Sequence, residues 1–374
     1  MIRGPRGFGQ ACFLTLALFV AVRLALPFFP SEGWSESGYH CALYYAFLPL
    51  GVSHTCMAGK AFGEGVRTAN RLDFLSFRSE KFTVDARGYR NPPFAQMRPR
   101  VILLGSSFSL GLSLNDEDTI AAQLSRRLGP VVYNSSKVLN RDLSAEPLVE
   151  TAHEIGMERG WVLLELINRG AYSYQPAAPH SRFAAVLDRA APLQSFQRRL
   201  KDPFALSRIT ALINMRIADD RVLPNPDRWR FPEEELINGR HMLFYVDDRN
   251  FALNPESPQI TVESVAHLRD ELQKRGLRLA VMLLPNGYTV YWPLLRERQS
   301  DDRGGRYFTE LSEGLASRGI PAFNCLPRLR AAAGRELAGN RLVYWPDDAH
   351  WNPEGVSVAA EGVAPWLGGL VSQP

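Results

Sequence analysis

An α/β fold built on a parallel sheet is what this 374-residue sequence predicts. Short apolar runs alternate along the chain with longer helix-patterned ones. The helical runs carry their own start and stop residues, and polar clusters fall where strands should end. That alternation implies a parallel sheet covered on both faces. In such sheets ligands gather beyond the carboxyl ends of the strands.

Val101 to Leu104, in VILLGSS, reads as a buried strand that stops at Gly105. DEDTIAAQLSRRLG follows as a helix, with acids at its start, basic residues at its end and Gly129 as its stop. VVYN is a second strand, SAEPLVETAHEIGMERG a second helix and WVLLEL a third strand. After a long interval, TVESVAHLRDELQKRG gives a helix and LRLAVMLLP a strand. YFTELSEGLASRG and IPAFNC repeat that unit, RLVYW is strand-like, and a final helix starts near Pro353. Gly105 to Ser109, Asn168, and Asp347 to Trp351 are thereby expected to converge on one sheet edge.

The flanking regions are of another kind. Arg3 and Arg6 precede an apolar run from Ala11 to Val22, which resumes after Arg23 as Leu24 to Phe29. As a helix this would reach about 28 Å, enough to cross the hydrocarbon core of a bilayer. A cleaved signal peptide is the rival reading, but no small-x-small site follows, so residues 1–30 are expected to form an uncleaved signal-anchor. Basic residues in front place the N-terminus in the cytoplasm and the body outside. Residues 31–80 read as a stem, and residues 81–374 as the folded domain. Cys41 and Cys56 in the stem suit a local disulfide in an oxidising compartment, with two free thiols as the alternative. The interval of about 171–260 is rich in Pro and Arg and reads as an insertion, either a cap over the sheet edge or a structural insert.

Composition excludes several classes of function. With 45% hydrophobic and 22% charged residues the chain is globular. A net charge of +4, without basic runs interleaved with aromatics, argues against nucleic acid. No Cys/His spacing suggests zinc, and no metal or cofactor is expected.

Two strand-end clusters carry chemistry. LLGSSFS offers Ser106, Ser107 and Ser109 on the turn after a buried strand, where a serine can be presented with its own amide beside it. DDAHWNPEG sets Asp347 and Asp348 just before His350, at a distance from which a carboxylate can orient an imidazole. The plainer reading of the second cluster is a helix N-terminus, with Asn352 as cap and Pro353 at the first helical position.

The stretch FTVDARGYRNPP…VILLGSSFSLGLSLNDEDTIAAQL…VVYNSS resembles the opening of SGNH/GDSL-type hydrolases. Their Gly-Asp-Ser block falls on Gly105-Ser106-Ser107, with Ser106 in place of the aspartate. WVLLELINRG, LRLAVMLLPNGYTVYWP and DDAHWNPEG resemble segments of alginate O-acetyltransferase-like proteins, placing Glu165 and Arg169 on the family pattern. Gly287 stands where a lysine is usual. In the alginate enzymes the Asp-His pair precedes the serine; here the order is Ser, Asp, His, so the likeness is to the wider branch of membrane-anchored SGNH acyltransferase-like proteins.

This resemblance implies a three-layer αβα, flavodoxin-like SGNH fold and a triad of Ser107, His350 and Asp348, with Asp347 as the alternate acid. It also implies an oxyanion hole from the amides of Ser107 and Ser136 and the side chain of Asn168, whose plainer reading is a strand-end turn residue. Arg169 would bind a substrate carboxylate or pair with Glu165, and Trp351 would stack on a sugar or pack beneath the histidine loop. The implied activity is O-acyl transfer, most simply acetyl, to an exported polysaccharide or glycan at the outer face of the inner membrane. Its acyl donor would arrive through a membrane-bound partner. An esterase or deacetylase with the same triad, or a non-catalytic glycan-binding scaffold, are the alternatives.

Overall fold

The computed structural model describes residues 53–58, 78–83, 85, 89–91, 98–129, 132–136, 142–168, 170–175, 232–298, 301–346 and 348–372. The expected anchor, Cys41, Arg169, Asp347 and residues 176–231 of the insertion lie outside them. Among the described residues no helix is long and apolar enough to cross a membrane. The chain divides into two units, Met1–Trp34 with His180–Asn225, and Ser35–Pro179 with Pro226–Pro374; all described residues belong to the second.

Its centre is a five-stranded parallel sheet of β3 (Val101–Leu104), β4 (Val132–Asn134), β6 (Gly160–Ile167), β10 (Leu277–Leu284) and β11 (Ala322–Asn324). The spatial order is β11-β10-β6-β3-β4. In chain order that is the flavodoxin-like arrangement, with its switch point between β3 and β6. Burial on both faces explains why these strands read as near-continuous apolar runs. Val101 to Leu103, Val162 to Leu164 and Leu279 to Leu284 are all at most 2% exposed.

The connecting helices are α1 (Ser107–Leu110), α2 (Ile120–Leu128), α3 (Glu146–Glu154), α4 (Val246–Leu253), α5 (Gln259–Gln273), α6 (Gly287–Tyr291), α7 (Arg303–Ser317), α8 (Leu326–Ala338) and α9 (Pro353–Val371). Local signals set their ends. Thr119 caps α2 by accepting from the Ala122 amide, and the chain turns away at Gly129 with φ 87°. Asp302 caps α7 through Gly305 N–H. The short α1, α4 and α6 carry too few turns to leave a periodic signature, and α8 follows β11 where the sequence shows only LPRLRAAAGRELA.

Smaller pairings surround the sheet. β1 (Ser53–Ala58) runs antiparallel to β2 (Arg78–Thr83). β5 (Asp142–Leu143) runs parallel to β7 (Ser173–Tyr174), and β8 (Glu233–Glu235) forms a hairpin with β9 (His241–Leu243). The described ends of the interval 171–260 therefore carry regular structure, including α4. RLVYW is not a sheet strand: its pairing is the isolated bridge of Tyr344 with Trp351, which closes a loop on itself.

Candidate active site

Ser107 leaves the sheet at the switch point. Leu104 of β3 sits beside Leu164 of β6, so continuing the register sets Gly105 next to Glu165. A Cβ at Gly105 would lie 2.6 Å from Glu165 Oε2 and 2.7 Å from Ser109 Oγ, so only glycine fits there. Ser106 caps the one-turn α1, its Oγ accepting from Phe108 N–H. Ser106 Oγ–H in turn donates to Glu165 Oε1, while Ser109 N–H donates to Glu165 Oε2 at 2.8 Å. Ser106 thus ties the turn to an acid on β6. Glu165 is 1% exposed, and burial pushes its carboxyl above the usual range, against the opposing pull of the Ser106 and Ser109 donors. Both its oxygens are taken up by the serine turn.

The histidine arrives from the loop before α9. Trp345 N–H donates to His350 O at 3.0 Å and Asn352 N–H to Val343 O at 3.2 Å, bringing the two ends of this loop together. Leu243 N–H at the end of β9 pins that loop from outside through Pro346 O at 2.8 Å. Asn352 caps α9 through Gly355 N–H at 3.0 Å, with Pro353 in the first turn. A Cβ at Gly355 would come within 2.1 Å of Val343 O, so the close approach of helix and turn requires glycine. The helix-cap reading and the chemical reading of DDAHWNPEG therefore describe one loop.

Three side chains meet across the fold. Ser107 Oγ lies 2.8 Å from His350 Nε2, a contact between residues 243 apart in sequence. His350 Nδ1 lies 2.6 Å from Asp348 Oδ1, which also accepts from the His350 backbone N–H at 3.1 Å. With a carboxylate at Nδ1, the proton belongs on Nδ1, leaving Nε2 to accept from the serine hydroxyl. The Phe108 ring lies against the imidazole at 4.7 Å between centroids, fixing its plane from the side. Ser107 and His350 are each 6% exposed and Asp348 4%. Low exposure strengthens every interaction along this line. Such an arrangement can raise the nucleophilicity of a hydroxyl and hold the imidazolium that forms when its proton moves.

The other expected site residues fare differently. Of the three groups expected to form an oxyanion hole, only the Ser107 amide is without a partner among the described residues. Ser136 N–H is taken by Asn134 Oδ1 at 3.0 Å, a local turn in which the asparagine side chain mimics backbone. Asn168 Nδ2 donates to Thr289 Oγ1 at 2.9 Å and its Oδ1 accepts from Asn286 N–H at 2.7 Å. These bonds make it a strand-end residue that locks β6 to β10, and they use one of the two N–H groups of its side-chain amide. Trp351 is 0% exposed with its edge on Phe108, so it packs beneath the histidine loop and presents no face to a sugar. Its buried indole N–H finds no acceptor among the described residues. Arg169 and Asp347 lie outside the described residues.

Sequence reasoning missed Ser113 and Arg90. Ser113 Oγ donates to Asp348 Oδ2 at 2.5 Å, and the Arg90 guanidinium is buried under the loop that carries Ser113. Ser113 has no local signature. Arg90 belongs to the quoted DARGYRN segment, but besides the Asp116 carboxylate its partners are carbonyl oxygens, which no residue type announces.

Residues 222–370 match the family model described as SGNH hydrolase-like domain, acetyltransferase AlgX. The match takes in Asp348 and His350 and begins after Ser107. No curated protein matches the chain. The sheet topology, the serine at the switch point and the matched C-terminal segment are all consistent with an SGNH hydrolase-like fold, and residues 222–370 are similar to the acetyltransferase family that the model describes.

Proposed function

We propose that this protein is an O-acyltransferase, acetyl in the simplest case, that modifies an exported polysaccharide or glycan through an acyl-serine intermediate. The observation that carries the reading is the 2.8 Å contact of Ser107 Oγ with His350 Nε2, with Asp348 on the far nitrogen. Ser107 Oγ attacks the donor's acyl carbonyl as His350 Nε2 takes its proton. Asp348 holds the imidazolium, and the Ser107 N–H donates to the developing oxyanion. Collapse breaks the bond to the donor's leaving oxygen, which takes the proton from His350. A sugar hydroxyl then enters, gives its proton to His350 and attacks the acyl-serine; collapse breaks the Ser107 Oγ–acyl bond, and Ser107 Oγ takes the proton back from His350. The family description, an acetyltransferase, supports transfer over hydrolysis.

The expected anchor from Ala11 to Phe29 would hold this chemistry at the outer face of the inner membrane, where the glycan is extruded. A membrane-bound partner would supply the acyl donor there. The strand-end loops would line the acceptor groove, with Arg169 available to an acidic sugar. Hydrolysis differs only in the nucleophile that reaches the acyl-enzyme. Water stands at roughly 55 M, and a well-held acceptor reaches effective molarities of about 10⁵ M or more.

The test supplies the full chain with an activated acetyl ester, with and without candidate oligosaccharides, and follows acetylated sugar beside free acetate. A serine adduct mapped to Ser107 and acetylated sugar in excess of acetate are expected. Acetate alone, at a rate indifferent to every glycan, would make the protein an esterase.

A further inference from the structure

We infer that Ser113 is a positioning residue that fixes the Asp348 carboxylate behind His350, and that Arg90 builds the loop presenting it. The inference rests on the acyl-transfer reading for its kinetic consequence, though not for its geometry. Asp348 Oδ1 receives both the backbone and the Nδ1 of His350, which leaves rotation of the carboxylate plane to be set by Oδ2. Ser113 Oγ–H occupies Oδ2 at 2.5 Å, from a residue 235 positions away.

The backbone at Ser113 is the second observation. Its φ is 62°, in the left-handed region, and its side chain is 5% exposed. Glycine would make this turn without strain. A serine held there persists only where its surroundings over-determine the conformation. Those surroundings are the Arg90 guanidinium, itself 4% exposed, which donates to Gly111 O and to Leu114 O at 2.6 Å, on either side of Ser113. It also donates to Leu110 O, to Lys81 O at 2.8 Å and to Asp116 Oδ1 at 3.1 Å. One cation thereby ties β2, the end of α1 and the 3-10 turn Asp116–Asp118 into a frame around Ser113. A purely structural turn would explain the frame but not a strained serine whose hydroxyl ends on the acid behind the histidine.

Two substitutions separate hydroxyl from backbone. Ser113→Ala deletes the hydroxyl and keeps the strain; Ser113→Gly deletes the hydroxyl and relieves it. On the full chain, the rate at which a fluorophosphonate probe modifies Ser107 is measured beside the low-field proton resonance of His350 Nδ1–H. Both variants are expected to slow labelling roughly 10- to 150-fold, the range for a hydrogen bond to a charged group. Both should shift or broaden the resonance, while Ser113→Gly unfolds at a higher temperature than Ser113→Ala. Wild-type labelling together with an unchanged resonance in Ser113→Gly would overturn the inference. If the wild-type chain itself resists the probe, the acyl-transfer reading fails, and the resonance still decides the role of Ser113.

Discussion

Two sets of buried polar residues in this fold meet opposite fates. On one side, Ser107, His350 and Asp348 keep their reactive atoms for one another across 243 residues. On the other, Asn134 with Ser136 and Asn168 with Asn286 and Thr289 close into local turns and strand locks. All are buried polar groups, and all must be hydrogen-bonded to be buried cheaply. The difference lies in the chemistry of the partner. A side chain bonded to an amide or a hydroxyl, near in sequence like Asn134 or far like Thr289, serves as structure, whereas one bonded to a titratable side chain can pass a proton.

That contrast is broken most directly at the relay itself. Ser107→Ala and His350→Ala should each cut turnover of a simple acetyl ester by about 10⁴-fold or more, with the double variant losing no more than either alone. Losses that multiply in the double variant would mean the two residues do not act as a unit. Asp348→Asn should cost about 10⁴-fold by favouring the wrong tautomer. A larger loss from Asp347→Asn would move the acid to Asp347.

A smaller effect sharpens the other side. Asn168→Ala should destabilise the fold by about 1–3 kcal/mol, because Asn286 N–H and Thr289 Oγ lose their buried partner. Ester turnover per folded molecule should stay within a few-fold of wild type. A loss of about 10²-fold or more at unchanged unfolding temperature would restore Asn168 to the oxyanion hole.

The smallest effect concerns the acid beneath the turn. Glu165 titrates above its ordinary 4.5 in the folded chain because it is buried. The folded state therefore holds the proton more tightly than the unfolded one. The stability this contributes is present below the ordinary carboxyl value and is lost as pH rises through the raised folded value. Glu165→Gln has no such titration, so the stability of wild type relative to Glu165→Gln should fall as pH rises across that window, by at most about 1.4 kcal/mol per pH unit. Denaturant midpoints at a series of pH values measure it, and a difference independent of pH would mean that burial does not govern this carboxyl.

Much of this was legible before the fold. The five sheet strands are short apolar runs with the residue types that a doubly covered sheet demands, and each lies within a residue or two of where periodicity puts it. The helices with strong caps, α2 and α9, are equally plain, whereas one-turn α1 and α6 leave no periodicity to read. Ser107, Asp348 and His350 were visible because their residue types, one after a buried strand and two just before a capped helix, carry the chemistry in one dimension, although the expected strand before Asp348 is only an isolated bridge. Arg90 escaped because, apart from its Asp116 pair, its guanidinium satisfies backbone carbonyls, and backbone has no letter.

The sequence by itself determined the layered α/β architecture and the residues able to form a serine–histidine–acid line, since hydrophobic period and side-chain chemistry are properties of the chain. Only the tertiary structure decided which polar groups stay available. It turned Trp351 inward, closed Ser136 onto Asn134, joined Asn168 to Thr289, and brought Ser113 from 235 positions away onto Asp348. The reason is that a hydrogen-bonding group has one set of lone pairs and protons, and its partner is chosen by distance in space.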